Sequence, residues 1–170
     1  MDIRMNAKSW TRLVEDDDTG VRALRIRYEQ SRLVPGFFAE VATALELLDG
    51  DASWRAVWFL RQAADECLLS EADIKKVPRN VEASRHWAAR LLLCQIFAQV
   101  ECPESERETV FEFLVKCFAD RRVIIRAWAL SAMWPLRRDP RFRNEVQRCM
   151  RAARKDPGKA MQARLRHLDD

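Results

Sequence analysis

Apolar residues recur at three- and four-residue intervals along most of this chain, with polar and charged residues between them. Val21, Leu24 and Tyr28 follow this spacing, and so do Val110 and Leu114. The spacing places apolar side chains on one face of an α-helix, whereas a half-buried strand needs strict alternation, which no long stretch shows. The pattern predicts an all-α protein with helices at about 5–15, 21–33, 37–48, 53–68, 70–77, 84–100, 105–118, 123–134 and 140–154, and a last helix ending near 168.

Local signals mark some helix starts and faces. Asp139 followed by Pro140 predicts an N-cap with proline at the first helical position, and Ser105 with Glu108 predicts a capping box. The stretch 84–100 is apolar nearly all round, so we expect it to be buried between neighbouring helices. Its favoured inner face comprises Ala88, Leu91, Leu92, Gln95 and Ile96.

A short phrase recurs along the chain: an Asp, five residues, then Arg followed at once by Ala. It occurs at Asp120 with Arg126, at Asp16 with Arg22 and at Asp49 with Arg55. A degenerate copy at Asp156 has Gln in place of Arg. A fifth unit keeps only the Ala. The Ala positions 23, 56, 88, 127 and 163 are separated by 33, 32, 39 and 36 residues. Repeats of this length predict stacked helical pairs, here an α-solenoid of four to five pairs in a single domain over residues 1–170.

The repeated phrase resembles the HEAT repeat, in which the Asp follows one helical pair and the Arg lies in the first helix of the next. The resemblance covers nearly the whole chain and implies a structural ladder of Asp and Arg side chains through the stack. The ladder residues are Asp16, Arg22, Asp49, Arg55, Asp120, Arg126 and Asp156. The sequence of residues 126–133, RAWALSAM, also resembles sequences of small, uncharacterised bacterial HEAT-like proteins.

Composition favours a globular helical protein, since 48% of residues are hydrophobic, 33% are charged and only four are Gly. No apolar run has the roughly 18 residues that a membrane span needs, and the first ten residues lack the apolar segment of a signal peptide. The five Cys are an odd number and lie mostly in amphipathic stretches, which indicates reduced thiols. We therefore expect a cytoplasmic protein with no membrane association.

Charge is distributed unevenly. Residues 121–170 hold 14 Lys and Arg against 5 Asp and Glu, whereas the first 120 residues hold 16 against 21. This asymmetry favours an anionic partner for the C-terminal part of the chain. A candidate basic binding strip lies opposite the apolar face of the helix at 140–154, where it could bind phosphates or an acidic protein segment, or could be an ordinary solvated surface. It comprises Arg137, Arg138, Arg141, Arg148, Arg151 and Lys155.

Candidate chemistry elsewhere is sparse. His86 and His167 read as surface residues, Cys102 is expected to reach solvent, and the other four thiols lie on apolar faces. Trp54 and Trp58 are a candidate aromatic anchor for a partner, or else pack under an adjacent unit. Trp128 and Trp134 are expected in the core. No motif indicates a catalytic residue, a metal site or a small-molecule cofactor.

These observations predict a non-enzymatic scaffold or adaptor that binds another protein, for example an acidic segment of it, through its helical groove. The alternative is a nucleic-acid-binding protein related to HEAT-like DNA glycosylases, with the basic strip contacting the phosphate backbone. A third hypothesis is a non-catalytic chain that supports the catalytic subunit of an enzyme. Fold alone does not choose among them.

Overall fold

The computed structural model describes residues 20–45, 48, 50–77 and 86–169. Every regular element in these ranges is helical, which confirms the all-α prediction. The predicted helix at 5–15 lies outside the described residues. The α-helices are α1 (Val21–Ser31), α2 (Phe37–Ala44), α3 (Gly50–Asp65), α4 (Glu71–Lys76), α5 (Trp87–Phe97), α6 (Arg107–Phe118), α7 (Val123–Met133), α8 (Pro140–Ala153) and α9 (Lys159–Asp169). Two 3-10 helices, Glu104–Glu106 and Trp134–Arg138, precede α6 and α8.

Two compact units divide the chain, one within residues 1–92 and the other within 93–170. The prediction of a single domain over residues 1–170 stays a prediction. In the first unit, α3 contacts α1 and α2, and α2 also contacts α4. An aromatic cluster fills the core between these helices: Tyr28 is 2% exposed, and its ring lies 6.3 Å from those of Phe38 and Phe59. Phe37 contacts Phe59 edge-on, so α1, α2 and α3 all contribute rings to one core.

In the second unit, α7 is the central helix, because it contacts α6, α8 and α9. Small and apolar side chains cover most of its surface, so neighbours can approach from several sides. Its buried residues are Ile125, Ala127, Ala129, Leu130, Ser131, Ala132 and Met133. The hydroxyl of Ser131 donates to the carbonyl of Ala127 within the helix, which satisfies a polar group that would otherwise be buried without a partner.

The repeated phrase has the same local geometry in its two described C-terminal copies. The carboxylate of Asp120 accepts from the N–H of Arg122, two residues on, and that of Asp156 accepts from the N–H of Gly158. Six residues after each Asp, a side chain donates back to the Asp carbonyl: Arg126 does so at 2.9 Å and Gln162 at 2.6 Å. Gln162, in the degenerate copy, therefore keeps the hydrogen bond to the Asp carbonyl at the start of the helix, because this bond needs only one N–H donor.

Arg126 also connects the two copies. Its Nε and its second terminal nitrogen donate to one oxygen of the Asp156 carboxylate, at 3.2 and 2.6 Å. Both side chains are mostly buried, at 25% and 16% exposure. This pair joins α7 to the loop that begins α9. Of the other predicted ladder residues, Asp16 and Asp49 lie outside the described residues, Arg22 is exposed, and Arg55 is buried in α3.

Two predictions about helix starts and faces were wrong. The segment at Ser105 is a 3-10 helix, and its hydroxyl contacts the neighbouring Glu106 rather than capping α6; the capping box forms instead at Ser70 with Asp73, before α4. The inner face of α5 is also displaced from the expected one, because a helix that is apolar nearly all round carries no periodic signal for its buried side. The buried residues of α5 are Ala89, Leu93, Cys94, Ile96 and Phe97, and Trp87 is 43% exposed.

Gly158 permits the close approach of the α9 loop to α7. A Cβ at this position would overlap Cγ2 of Val123 and would lie 3.0 Å from Oδ1 of Asp156. Gly158→Ala should therefore lower the free energy of unfolding by about 1–3 kcal/mol, measured by urea denaturation. In a Val123→Ala background the same change should cost clearly less, because the overlapping methyl group is gone. Equal costs in both backgrounds would contradict this account.

Arg126→Ala should lower the free energy of unfolding by about 1–3 kcal/mol, because it leaves the mostly buried carboxylate of Asp156 without its partner. Arg121→Ala is the matched control: Arg121 is exposed and its side chain forms no ion pair with any described residue, so the expected change is within about 0.5 kcal/mol. Urea midpoints that are equal for the two variants would contradict the prediction.

Acid titration provides a second check on the same pair. Hydrogen bonds from Arg126 and from the N–H of Gly158 lower the pKa of Asp156 below its ordinary value. A carboxyl whose pKa is depressed by folding stabilises the protein above its unfolded pKa, about 3.9, and that stabilisation is lost as pH falls through the folded pKa. The stability difference between wild type and Arg126→Ala should therefore be constant from neutral pH to about pH 5 and should shrink in more acidic solution.

Candidate functional site

Helix α8 presents one apolar face and is otherwise polar. Asp139 caps its start by accepting the N–H of Arg141 at 3.0 Å, and Pro140 occupies the first helical position, as the sequence predicted. The predicted apolar face is also confirmed, since all five of its residues are buried. They are Phe142, Val146, Cys149, Met150 and Ala153. The remaining positions of α8, which include its arginines, lie at or near the surface.

Two arginines of the predicted basic strip form ion pairs with carboxylates of this protein. The guanidinium of Arg141 contacts the carboxylates of Asp139 at 2.6 Å and Glu104 at 2.7 Å. Hydrogen bonds from Arg141 hold the pKa of Asp139 at about 2, so this carboxylate is ionised at neutral pH. Arg148 pairs with Glu145 one turn earlier, and this contact lowers the pKa of Glu145. These two cations are therefore not the strongest candidates for contact with a partner.

A separate cleft of about 330 Å³ lies beside the apolar face of α8, and we call it the arginine cleft. No carboxylate is among the described residues that line it. Its lining residues are Trp134, Arg137, Arg143, Val146, Gln147, Met150, Arg151 and Arg154. Four guanidinium groups thus surround a space whose floor is apolar. Such a site has a positive potential, and the apolar side chains of Val146 and Met150 beneath it are almost fully buried.

The wall and the floor of the arginine cleft come from different parts of α8. Arg143 and Arg151 are exposed, and neither forms an ion pair with any residue that the structure describes. Val146 and Met150 form the floor and are only 0% and 6% exposed. At 100° per residue, Arg143 lies on the flank of the apolar face, whereas Arg151 lies nearly opposite it.

Trp134 and Arg137 come from the 3-10 helix before α8. The guanidinium of Arg137 lies 4.0 Å from the centre of the Trp134 ring and donates a hydrogen bond to the Trp134 carbonyl at 2.8 Å. This cation–π contact fixes the direction of the side chain at the edge of the cleft. It also covers one face of the indole, so that face is not available to stack on a ligand.

The predicted strip and the arginine cleft overlap only in Arg137 and Arg151. Arg138 and Lys155 are exposed outside the cleft, and Arg143 and Arg154 were missed by the sequence analysis. They lie on the flank of the apolar face, whereas the predicted strip lies opposite it. The spacing of Arg143, Gln147, Arg151 and Arg154 along one side of α8 was the signal that could have found them.

A second, larger cleft of about 770 Å³ lies between the segment 97–110 and the segment 132–141. Its charges largely neutralise one another: Arg107 and Arg141 both contact Glu104, and Arg141 also contacts Asp139. Cys102 lines this cleft but is 9% exposed, and burial raises the pKa of its thiol to about 11. The thiol is therefore protonated at neutral pH and is a poor nucleophile.

Two tryptophans are more exposed than the sequence predicted. Trp128 and Trp134 are half-buried rather than in the core, and an arginine covers each of them; the guanidinium of Arg164 lies 3.3 Å from the Trp128 ring centre. Trp54 and Trp58 are also half-buried. Trp58 contacts Tyr28 and Phe59 edge-on, so it closes the rim of the aromatic cluster of the first unit.

The predicted exposures of two thiols were wrong. Cys67 is exposed, because it follows the last turn of α3 in a left-handed conformation with φ of 57°. Cys102 is buried, and Cys94, Cys117 and Cys149 are buried as predicted.

His86 is half-buried, and its Nδ1 accepts the N–H of Ala88 at the start of α5. Within the described ranges, no group of three or more His, Cys, Asp or Glu side chains is arranged to hold a metal ion.

We predict that one thiol of the native protein reacts rapidly with a disulfide reagent such as DTNB and that the other four react only on unfolding. Burial keeps the four from the reagent, and it raises the pKa of Cys149 to about 11 as it does for Cys102. Cys67→Ser should abolish the rapid phase, whereas Cys102→Ser should leave it unchanged. A rapid phase that persists in Cys67→Ser would contradict the exposures described here.

Comparisons of the chain with protein-family models, with curated proteins and with solved structures each gave no match. Among the described residues, no helix is both long enough and apolar enough to cross a membrane. The functional proposal therefore depends on the geometry of the chain itself.

Proposed function

We propose that this chain is a non-enzymatic, HEAT-like helical module that binds another protein through the arginine cleft. The observation that carries the proposal is the cleft itself: four arginines line it, with no carboxylate among the described residues of its lining. Arg143 and Arg151 line this cleft without an ion pair to any described residue, and the repulsion between such cations is tolerated where an anionic partner offsets it.

The HEAT-like part of the proposal is supported by contacts inside each unit. In the first unit, α1 contacts α3, and both carry the repeated phrase. In the second unit, α7 contacts α9, which carry the next two copies. Helices of equivalent position in successive repeats are neighbours in a stacked solenoid, because each repeat buries its face against the next. The matching contacts of Arg126 and Gln162 agree with that equivalence.

Nucleic-acid binding is the second candidate function, and the excess of 14 Lys and Arg over 5 Asp and Glu in residues 121–170 favours it. Two observations weigh against it. Arg141 and Arg148 are held by carboxylates, so the cations of α8 do not form a continuous row for successive phosphates. The indole of Trp134 is covered on one face by Arg137, which hinders the base stacking that single-stranded nucleic acid requires.

A pair of charge-matched variants separates the two functions. Arg143→Glu with Arg151→Glu reverses the wall of the arginine cleft, and Lys159→Glu with Arg166→Glu makes the same change in net charge on α9. All four side chains are exposed, so both variants should fold. For a protein-binding module, a defined partner protein should be captured from the cells that produce this chain by wild type and by the α9 variant, but not by the cleft variant.

The same variants are then titrated with duplex DNA at several salt concentrations. We expect only the weak affinity of a generic basic surface, with Kd no tighter than about 10⁻⁴–10⁻⁶ M at physiological salt, and similar losses in both variants. A sub-micromolar DNA complex whose log–log salt slope is near −0.9 per phosphate contact, and which only the cleft variant abolishes, would overturn the proposal in favour of nucleic-acid binding.

A further inference from the structure

We propose that the outward side of α1 binds an amphipathic helix of a partner protein that carries its acidic residues at one end. We call this surface the α1 face. It comprises Arg22, Arg25, Ile26, Glu29 and Leu33, the last of which follows the end of the helix. The proposal goes beyond the arginine cleft, because the α1 face lies in the first unit and shares no residue with that cleft.

The core holds the opposite side of α1. Leu24 and Tyr28 are almost fully buried. At 100° per residue, positions 22, 26, 29 and 33 fall within about 60° of one another and point roughly away from these two residues. The N–H of Arg32 still donates to the carbonyl of Tyr28 at 2.8 Å, so the helical backbone continues far enough to place Leu33 on the same side. The α1 face is therefore one stripe directed away from the core.

Large apolar side chains of the α1 face are exposed. Ile26 is 53% exposed and Leu33 is 77% exposed. Of the six large apolar side chains that are exposed in the described ranges, four lie within residues 21–34. Such residues scattered singly are common on any protein, whereas a concentration of them marks an interaction surface. The last helix differs, since the exposed residues among its described side chains are Lys159, Ala163, Arg166 and His167.

Positive charge is concentrated at one end of the α1 face. Arg22 and Arg25 are exposed, and neither forms an ion pair with any residue that the structure describes. At the other end, Arg32 forms ion pairs with the carboxylates of Glu29 and Glu66, each at 2.8 Å. One cation there faces two carboxylates, so that end has no excess of positive charge. An anionic group of a partner is therefore favoured at the start of α1 and not at its end.

The spacing of the exposed apolar residues is suited to a helical ligand. Ile26 and Leu33 are seven residues apart, which is two helical turns or roughly 10 Å. A helix that packs along α1 presents apolar side chains at the same interval, so it can cover both residues at once. A second copy of the α1 face is a poorer match, because its carboxylate, Glu29, is already paired and cannot be offered to the cations at the start of α1.

Fluorescence anisotropy with the full chain and three labelled peptides of about 20 residues, long enough to form a helix, tests the proposal. The first peptide carries leucines along one helical face, with glutamates at the other positions of its first half and glutamines at those of its second half. The second replaces the leucines with glutamines, and the third replaces the glutamates with glutamines. We expect the second to bind at least about tenfold more weakly than the first. The third should bind about three- to tenfold more weakly, by a factor that shrinks at high salt.

A matched pair of variants assigns the apolar contact. Ile26→Gln removes an apolar side chain from the α1 face, and Ile124→Gln makes the same change at an exposed position of α7. The first variant should bind the first peptide about tenfold more weakly than wild type, and the second should differ by less than about twofold. Circular dichroism and urea midpoints establish that both variants are folded. Equal affinities of the two variants would overturn the proposal, and so would equal affinities of the first and second peptides.

A second pair of variants assigns the acidic end of the ligand. Arg22→Gln with Arg25→Gln should remove most of the preference for the first peptide over the third, whereas Arg143→Gln with Arg151→Gln should keep it. The opposite result would place the peptide in the arginine cleft and would refute binding at the α1 face. The proposed function is tested separately, by whether capture of the partner protein depends on the cleft.

Two further measurements detect other occupants of the α1 face. Self-association in sedimentation velocity that Ile26→Gln abolishes would assign the face to a second copy of this chain. Co-sedimentation with vesicles of phosphatidylcholine and phosphatidylserine that is lost in Arg22→Gln with Arg25→Gln would assign it to an anionic membrane surface. We expect neither. Either result would contradict the proposal, as would the absence of any binding of the first peptide to the wild-type chain.

Discussion

The contact between Arg126 and Asp156 is the interaction on which the second unit depends. One guanidinium group donates to the carbonyls of Asp120 and Arg121, which end the loop before α7, and to the Asp156 carboxylate, which begins the loop before α9. The Asp156 carboxylate in turn accepts the N–H of Gly158. A single side chain therefore fixes the starts of two helices.

A second set of ion pairs fixes the start of α8. Arg141 joins the N-cap residue Asp139 to Glu104, which precedes α6. This contact neutralises one exposed cation of α8 with carboxylates of the same unit and leaves the flank of the helix exposed. The arginine cleft forms along that flank, next to the 3-10 helix that leads into α8. The position of the cleft thus follows from how α8 is attached, and the proposed binding surface is a consequence of the packing of the second unit.

The arginines of residues 121–170 have three different physical roles. Arg126, Arg141 and Arg148 neutralise carboxylates of the same unit. Arg137 and Arg164 lie over tryptophan rings, where they shield apolar surface from water. Arg143 and Arg151 are exposed at the cleft. A net positive charge favours an anionic partner, but only this division of roles indicates which cations can bind that partner.

The sequence by itself determined the helical class, most helix positions, the N-cap at Asp139 and the apolar face of α8, because these depend on residues close together in the chain. It also identified the repeated phrase from which the Arg126–Asp156 contact arises. Only the tertiary structure decided which face of α5 is buried, that Cys67 is exposed while Cys102 is buried, and that arginines cover Trp128 and Trp134. The same holds for the candidate site: the sequence predicted a basic surface on α8, and the structure shows which of its cations form ion pairs with Glu104, Asp139 and Glu145. The buried face of α5, the Arg141–Glu104 pair and the Arg164–Trp128 contact depend on segments that meet only after folding, and the periodicity of a single helix holds no information about its neighbours.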